Sequence, residues 1–431
     1  MFSRLRWVLP VLLVFVSGQP SRCDGVVPEL RVGLALHRDV VRFSGSAGLT
    51  ISGPYSHGPV GSVPAGQVWE ARASDESVLL VQPDGSTIGP LGLPLRLAPP
   101  EGGTTALQDI TGHWDKRTTR EYRGEIEIRR DGAGGLNVIN IVDIESYLRG
   151  VVPSEMPAKY PLEALRAQAV AARGQALIKG GRHDAEGFDL CATQHCQVYG
   201  GATSEDPRSD QAVASTAGEV VVYNGRLADT LYSSTCGGHT ANNEDYWQQQ
   251  QAVPYLRGVG DFESASGGLA FPLSGEALKQ YLRYAPRVNC YQSRYAKSDK
   301  IRWWLTMTRR QMQEKLAALG EFGDLLDVRV TARAESGMVR KVTVIGSRKL
   351  MPVSGGEAIR KALGLQSATF VIESYREKPE DLPVVFIIYG AGWGHQVGMC
   401  QVGAAGLAEE GWDYRRILEK YYQGCAVEKR Y

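Results

Sequence analysis

Glycine is the feature of this sequence that most constrains its fold, because 50 of the 431 residues are glycine. Glycine is the residue of tight turns and of close backbone approach. Here it separates short β-branched runs, among them residues 40–51 and 78–88. Short strands divided by glycine turns indicate a β-rich N-terminal region. In residues 122–142 two alternating runs flank Asp131-Gly-Ala-Gly-Gly, which predicts a β-hairpin.

Helical patterns follow without a regular alternation. Pro161 fits the first position of a helix, and the alanine-rich run 162–173 carries apolar residues at three- and four-residue spacing, which predicts a helix with one buried face. Further helices are predicted at 357–363 and 414–421, and a strand at 384–389. This mixture favours an α+β fold over a doubly wound parallel sheet.

The chain divides into five predicted regions. They are a signal peptide at 1–25, a β-rich N-terminal region at 28–100, a core at 101–265, an α/β second region at 266–380, and a glycine-rich loop with a helix at 381–431 that closes the core. We expect the motifs of the core and of the last region to converge on one groove.

The first residues indicate where in the cell the protein acts. Arg4 and Arg6 precede an apolar run at 7–16 and then small, polar residues, the pattern of a secretory signal peptide. The run has about ten residues, whereas a transmembrane helix needs about twenty, so a retained anchor is the weaker alternative. We therefore expect a secreted, periplasmic or cell-wall-facing protein with no stable transmembrane anchor.

Charge excludes one class of partner. The 48 Lys and Arg residues balance 47 Asp and Glu residues, which gives a net charge of +1. A dedicated nucleic-acid-binding protein would carry a strong basic excess. The sequence therefore predicts that nucleic acid is not a partner.

Glu155 is the first candidate for chemistry. It lies between Pro153 and Pro157 in a stretch that also holds Val151, Val152 and Met156. Proline restricts its own φ and the residue before it, so a stiff loop is expected, and the apolar neighbours would raise the pKa of the carboxyl toward that of a general acid. The alternative is a glutamate that only favours the start of the following helix.

A second candidate is residues 389–404, where five glycines surround His395 and Gln401. Such a loop lets the backbone approach a ligand, and both side chains offer polar contacts. The segment lacks the Gly-Lys-Ser ending of a nucleotide loop, and no Gly-x-Ser-x-Gly elbow accompanies it. The alternative is a tightly turned core hairpin with a hydrogen-bonded histidine.

The third candidate is the cluster of His183, Cys191, His195 and Cys196, with Cys236 about forty residues later. Four nitrogen and sulfur donors in fourteen residues could form a tetrahedral zinc site. In an oxidising compartment a disulfide from Cys191 or Cys196 to Cys236 competes with zinc. By the same logic Cys400 could pair with Cys425, which would leave Cys290 single.

Three segments together resemble the stage II sporulation protein D family, also called SpoIID/LytB. They are Tyr147-Leu-Arg-Gly-Val-Val-Pro-Ser-Glu-Met-Pro157, Pro161-Leu-Glu-Ala-Leu-Arg-Ala-Gln-Ala-Val-Ala-Ala-Arg173 and Gly394-His-Gln-Val-Gly-Met-Cys-Gln-Val-Gly-Ala404. The resemblance implies a lytic transglycosylase of peptidoglycan glycan strands, or an enhancer of a cell-wall amidase. It places Glu155 at the catalytic glutamate and Gln168 and Arg173 at motif positions able to contact substrate, and it favours structural zinc at the Cys/His cluster.

A lytic transglycosylase needs only one carboxylate. The acid protonates the glycosidic oxygen between MurNAc and GlcNAc, and the same group then takes a proton from the C6 hydroxyl, which attacks C1 and gives 1,6-anhydroMurNAc. A hydrolase with water as nucleophile would give reducing ends instead, and a non-catalytic peptidoglycan-binding or amidase-activating protein would give no cleavage.

The sequence departs from the family pattern in two places. Gly174-Gln175 stands where Thr-Tyr is usual, and Gln396 follows His395 where glycine is usual. Glycine inside a helix costs about 1 kcal/mol relative to alanine, so Gly174 is expected to weaken the helix.

Overall fold

We describe the protein from a computed structural model, which describes residues 25–54, 58–111, 117–262, 271–284 and 287–431. The predicted signal peptide falls outside these ranges except for its last residue. Within the described ranges, no helix is both long enough and apolar enough to cross a membrane.

Twelve strands open the described chain, and most of them are short and separated by turns, as the glycine pattern predicts. The antiparallel pair β11–β12 confirms the predicted hairpin, with Arg130 opposite Leu136. The strands are β1 (Glu29–Arg38), β2 (Val40–Gly45), β3 (Leu49–Ser52), β4 (Gly61–Val63), β5 (Trp69–Ser74), β6 (Ser77–Val81), β7 (Thr87–Leu91), β8 (Leu95–Ala98), β9 (Thr105–Thr111), β10 (Arg117–Tyr122), β11 (Glu125–Arg130) and β12 (Leu136–Asp143).

Helices and short strands follow, with 3₁₀ turns at Asp184–Glu186 and Ala202–Ser204. They are α1 (Ile144–Glu155), α2 (Leu162–Lys179), β13 (Leu190–Cys191), α3 (Pro207–Ser215), β14 (Glu219–Tyr223), β15 (Arg226–Leu227), β16 (Tyr232–Ser233) and α4 (Asn243–Tyr246). The first sheet has the order β13-β1-β12-β11-β8-β3-β4, and the second has the order β10-β9-β2-β5-β6-β7. β13 lies parallel to β1, which places Cys191 beside Gly33 at the edge of the first sheet.

Helix α2 lies in the first hydrophobic core, together with α1 and the N-terminal strands. The sequence predicts one buried face, but residues 167–176 are all buried, so that prediction is wrong. The helix packs against α1, α3 and β14, and small alanine side chains allow these elements to approach from several directions. Gly174 belongs to this packing, because a Cβ there would lie 2.8 Å from the Thr230 hydroxyl. Pro161 lies at the N-cap, one residue earlier than predicted.

A second hydrophobic core is formed by buried residues of the stretch from Trp303 to Ile388. Its three-stranded sheets have the orders β17-β22-β21 and β18-β19-β20, and α9 and β22 confirm the predicted helix and strand to within a few residues. The elements of this stretch are α5 (Gly275–Arg283), α6 (Asn289–Gln292), α7 (Ser298–Ile301), β17 (Arg302–Thr308), α8 (Arg309–Leu316), a 3₁₀ turn at Ala317–Leu319, β18 (Leu325–Arg333), β19 (Val339–Gly346), β20 (Leu350–Ser354), α9 (Gly356–Leu363), β21 (Phe370–Tyr375) and β22 (Val385–Ala391).

The last elements return to the first core. They are β23 (Met399–Cys400), α10 (Gln401–Glu409), α11 (Tyr414–Tyr421) and β24 (Ala426–Lys429). β23 lies parallel to β16, β24 pairs with β14, and α10 packs against α2 and α6. The fold is α+β, as predicted. Because the C-terminal elements pack against the first core, the C-terminal motif lies beside α1 and α2.

Candidate active site

Glu155 is the last residue of α1. The sequence predicts a stiff loop between prolines, but α1 starts at its Asp143 N-cap and continues through Pro153 to Glu155, so the loop prediction is wrong. Pro153 lies in the last turn, where its missing N–H costs one hydrogen bond. The Ser154 hydroxyl donates to the Gly150 carbonyl at 2.7 Å in the same turn. Met156 then adopts an extended backbone and ends the helix.

The surroundings of Glu155 favour its protonated form. The residue is half-buried, and burial raises the pKa of its carboxyl against the lowering effects of the Val198 amide and the charge of Lys179. The Val198 N–H donates to Glu155 Oε1 at 2.7 Å and fixes the carboxyl in place. Its position at the carboxyl end of a helix also disfavours a negative charge. These are the properties of a general acid.

Two glutamines hold the backbone at this point. The Gln401 side-chain amide donates to the Glu155 carbonyl at 3.0 Å and to Gln168 Oε1 at 3.2 Å. Both side chains are buried, and the Gln168 side-chain N–H₂ has no hydrogen-bond partner within the described chain. The structure therefore brings together Glu155, Gln168 and Gln401 from α1, α2 and α10.

His395 approaches the same region from the glycine-rich segment. Its Nδ1 accepts from the Val397 N–H at 3.1 Å, and its ring lies 5.1 Å from that of Trp247. Burial lowers the pKa of His395 to about 4, against a hydrogen bond with the backbone of Tyr232, and Lys179 lowers it further. His395 is therefore neutral at pH 7, and the field of Lys179 reaches both His395 and Glu155.

Arg173 is not part of this group. Its side chain is 0% exposed, and its guanidinium donates to both carboxylate oxygens of Glu145, at 2.8 and 2.7 Å. Glu145 lies at the start of α1, about 15 Å along the helix axis from Glu155. In this structure Arg173 joins α2 to the far end of α1, and its guanidinium has no exposed surface for a substrate.

The Cys/His cluster forms as the sequence predicts. The ligand atoms of His183, Cys191, His195 and Cys196 all lie within 4.8 Å of one another. His183 Nε2 lies 3.4 Å from Cys196 Sγ, and His195 Nδ1 lies 3.7 Å from both sulfurs. A tetrahedral zinc site with bond lengths of about 2.0–2.3 Å has edges of about 3.3–3.8 Å, so these donors fit zinc. The hydrogen bond between the two thiols lowers the pKa of Cys191 and raises the pKa of Cys196, so it favours the thiolate at Cys191.

The surroundings of this cluster also suit a metal. Glu186 Oε2 lies 3.2 Å from His183 Nδ1, the nitrogen that faces away from the sulfurs, as in carboxylate–histidine–zinc triads. Val198 follows Cys196 by two residues and its N–H donates to Glu155, so the loop that carries Cys196 also contacts the candidate acid. A cleft of about 510 Å³ opens beside the cluster and is lined by Val198, and Glu155 does not line it.

The disulfide alternative to zinc does not form in the structure. Cys236 does not lie with Cys191 and Cys196 but with Cys290 and Cys400, and the described cysteines are all free. Cys400 therefore lies apart from Cys425, and Cys290 is not single. These contacts join segments far apart in the chain, which spacing between cysteines does not reveal.

Sequence reasoning missed three contributors to the site. The Val198 amide is a backbone group and has no residue signature. Lys179 resembles an ordinary basic residue in the last turn of a helix, and only the fold brings its charge near Glu155 and His395. Tyr232 stands near Glu155, whose charge, after burial, raises the pKa of the Tyr232 hydroxyl.

The fold and site define an α+β protein with one half-buried glutamate beside a group of cysteine and histidine ligands. A family model described as "Stage II sporulation protein" matches residues 132–223, and a model described as a domain of unknown function matches residues 241–398. The first match contains α1, α2 and the Cys/His cluster.

Similar proteins include stage II sporulation protein D of Bacillus subtilis, which is 30% identical over 67% of this chain and 75% of its own length. An uncharacterized protein of Brachyspira hyodysenteriae is 31% identical over 67% of this chain and 68% of its own length. The amidase enhancer of Bacillus subtilis is 30% identical over 65% of this chain but only 40% of its own length. The chain belongs to the stage II sporulation protein D (SpoIID/LytB) family.

Proposed function

We propose that the protein is an extracytoplasmic lytic transglycosylase that cleaves peptidoglycan glycan strands between MurNAc and GlcNAc. The observation that carries the proposal is the placement of Glu155, a half-buried carboxyl with a raised pKa at the end of α1, fixed by the Val198 amide. Membership of the family supports the same assignment.

The first step uses Glu155 as general acid. Its protonated carboxyl donates a proton to the glycosidic oxygen, and the bond from that oxygen to C1 of MurNAc breaks with oxocarbenium character at C1. The leaving sugar departs with a hydroxyl group. The carboxylate left behind is stabilised by the Val198 N–H at 2.7 Å and by the charge of Lys179.

The second step returns the proton. The Glu155 carboxylate takes the proton of the C6 hydroxyl while O6 forms a bond to C1, which closes the 1,6-anhydro ring. Glu155 ends the cycle protonated, so one carboxyl serves both steps and no second carboxylate or water nucleophile is required.

Gln401 and Gln168 serve as positioning residues in this proposal. Both are buried, and Gln401 acts on the backbone of Glu155 rather than on the reacting atoms. The side-chain N–H₂ of Gln168 is buried and has no hydrogen-bond partner among the described residues. His395, neutral and half-buried, would present its ring beside Trp247 to the glycan.

We also propose a structural zinc ion held by His183, Cys191, His195 and Cys196. Zinc with four protein ligands has no open position for chemistry and acts by fixing its ligands. Its effect would be to hold the loop that carries Val198, and thereby the carboxyl of Glu155.

A second candidate function has one specific observation in its favour. The amidase enhancer of Bacillus subtilis is 30% identical to this chain. A protein of that kind would bind the cell wall and a cell-wall amidase without cleaving glycan itself.

Product analysis tests the proposal. We expect purified protein, incubated with glycan strands both with and without stem peptides, to yield fragments ending in 1,6-anhydroMurNAc, identified by mass spectrometry. Reducing ends in their place would show a hydrolase and would contradict the ring-closing step. Intact glycan in both preparations, with a stimulated amidase in a parallel assay, would favour the enhancer function instead.

The pH dependence of cleavage tests the acid. Only protonated Glu155 can begin the reaction, so we expect kcat/KM to fall about tenfold per pH unit above the raised pKa of this carboxyl. Lys179 opposes that shift, and Lys179→Met removes its charge, so the alkaline limb should move to higher pH. The exposed Lys349 provides the control: Lys349→Met should leave the limb in place. An unmoved limb in Lys179→Met would contradict the assignment.

A further inference from the structure

A second group of metal-binding side chains lies in the interior of the protein. The ligand atoms of Cys236, Asp261, Cys290 and Cys400 all lie within 4.8 Å of one another. They come from four separate segments: the loop after β16, the loop before α5, helix α6, and the end of β23. The group is distinct from the Cys/His cluster, with which it shares no residue.

Burial makes this group unusual. Cys290, Cys400 and Asp261 are 0% exposed, and Cys236 is 2% exposed. Asp261 forms no ion pair with any residue that the structure describes. A buried carboxylate that is ionised must be paired with a cation or coordinate a metal, because an unpaired buried charge is costly. Three thiols add further acidic groups to the same enclosed volume, and a bound divalent cation would offset two units of the negative charge that the group carries when ionised.

The hydrogen bonds around the sulfurs have the pattern of ligated thiolates. The backbone N–H groups of Cys236 and Gly403 each donate to Cys400 Sγ at 3.2 Å, and the N–H of Gly238 donates to Cys236 Sγ at 3.4 Å. Sulfur is a weak acceptor as a thiol, and such donors stabilise it when it carries negative charge. Cys400 is also the N-cap of α10, where the helix dipole favours an anion.

The carboxylate is oriented in the same way. The Tyr421 hydroxyl donates to Asp261 Oδ1 at 2.8 Å, and the Cys290 N–H donates to Oδ2 at 2.8 Å. Ligating carboxylates commonly hold such outer hydrogen bonds. The absence of a side chain at Gly403 makes room for the Asp261 carboxylate, because a Cβ there would lie 2.5 Å from Asp261 Oδ1.

We infer that Cys236, Asp261, Cys290 and Cys400 form a second, structural zinc site with three sulfur ligands and one oxygen ligand. Thiolates select zinc, copper(I) and iron–sulfur clusters among the common metals, and four donors around one point match the tetrahedral geometry of zinc. All four positions are filled by protein, so the site is closed and its role is to join segments rather than to catalyse.

The segments joined by this site include the helix that reaches the candidate acid. Gln401 follows Cys400 directly and donates to the Glu155 carbonyl. Gln396 also contacts a segment of this group, because its buried side-chain amide donates to the Cys236 carbonyl at 2.6 Å. The backbone of Gln396 has a positive φ of 62°. The metal would therefore tie the two segments that carry Asp261 and Cys290 to the start of α10.

Metal content tests the inference on the full chain, purified in zinc-containing buffer and desalted. We expect about two zinc equivalents per chain in the wild type and about one in Cys290→Ser, Asp261→Asn and, through the other cluster, Cys196→Ser. Cys425 lies outside both groups, so Cys425→Ser should keep both ions. Asp261→Asn retains the shape of the side chain, so it still tests the site if Cys290→Ser fails to fold.

The ligand set gives a second, independent measurement. In Cys196→Ser only the buried site should retain zinc, and X-ray absorption should report three sulfurs at about 2.3 Å and one oxygen at about 2.0–2.2 Å. The inference fails if Cys290→Ser and Asp261→Asn both bind as much zinc as the wild type. It fails equally if the denatured, unreduced wild-type chain is lighter by two hydrogen atoms and peptide mapping places a disulfide within Cys236, Cys290 and Cys400. Neither result depends on glycan cleavage.

Discussion

Glu155→Gln is expected to lower the rate of anhydro-product formation by about 10³-fold or more, because a positioned acid contributes about 10²–10⁴-fold and Glu155 serves in two proton transfers. Glutamine has the size of glutamate and can still accept the Val198 N–H, but it can neither donate an acidic proton nor take one from the C6 hydroxyl. Glycan binding, measured by sedimentation with insoluble peptidoglycan, should change little.

The matched control is Glu321→Gln, since the Glu321 side chain is 92% exposed and lies outside the candidate site. This variant should cleave as the wild type does.

Burial raises the pKa of Glu155 in the folded state, so its ionisation opposes folding and the wild type loses stability as pH rises through that pKa. Glu155→Gln should therefore be at least as stable as the wild type at neutral pH. Wild-type cleavage by Glu155→Gln would show that Glu155 takes no part in the chemistry.

The sequence predicted the local elements best where propensity and burial agree. Helix α11 has the predicted bounds, 414–421, and the hairpin β11–β12 formed around its glycine turn. Glu155 was found through the residues around it, although the helix that carries it was not. Pro153 and Pro157 suggested a stiff loop there, whereas α1, packed against α2 and α3, continues through Pro153.

Helix α10 shows why the rest could not be predicted. Its segment was expected to be a glycine-rich loop, because glycine disfavours helices by about 1 kcal/mol per residue. In the structure Gly403 and Gly406 are inside the helix, and a Cβ on Gly406 would lie 2.5 Å from the Asn289 carbonyl. Close contact with α6 requires glycine, and a contact between residues more than a hundred positions apart leaves no periodic trace in the sequence.

The cysteines give the same lesson. Seven cysteines suggested a choice between one zinc site and a disulfide. The structure divides six of them into a pair beside two histidines, a buried group of three beside Asp261, and Cys425; Cys23 lies outside the described residues. The first group is local in sequence and was predicted. The second joins four segments and could be seen only in the fold.

Arg173→Met is expected to destabilise the protein by about 3–5 kcal/mol, the cost of removing one partner of a buried ion pair. The guanidinium is fully buried and donates to Glu145, to the Glu219 carbonyl at 2.9 Å and to the Val213 carbonyl at 3.4 Å. Methionine fills much of the space but donates no hydrogen bond. Denaturant unfolding followed by circular dichroism would measure the loss.

The opposite expectation follows from a substrate-binding role. If Arg173 contacted glycan, Arg173→Met would raise KM with little change in the free energy of unfolding. A double variant sharpens the distinction: Glu145→Gln combined with Arg173→Met should cost less than the sum of the single changes, since each single change leaves the other partner unpaired. Arg310 is 87% exposed, so Arg310→Met should change stability by less than about 0.5 kcal/mol. Full stability in Arg173→Met would contradict the structural role, because it would mean that the buried contacts with Glu145 contribute nothing to joining α1 and α2.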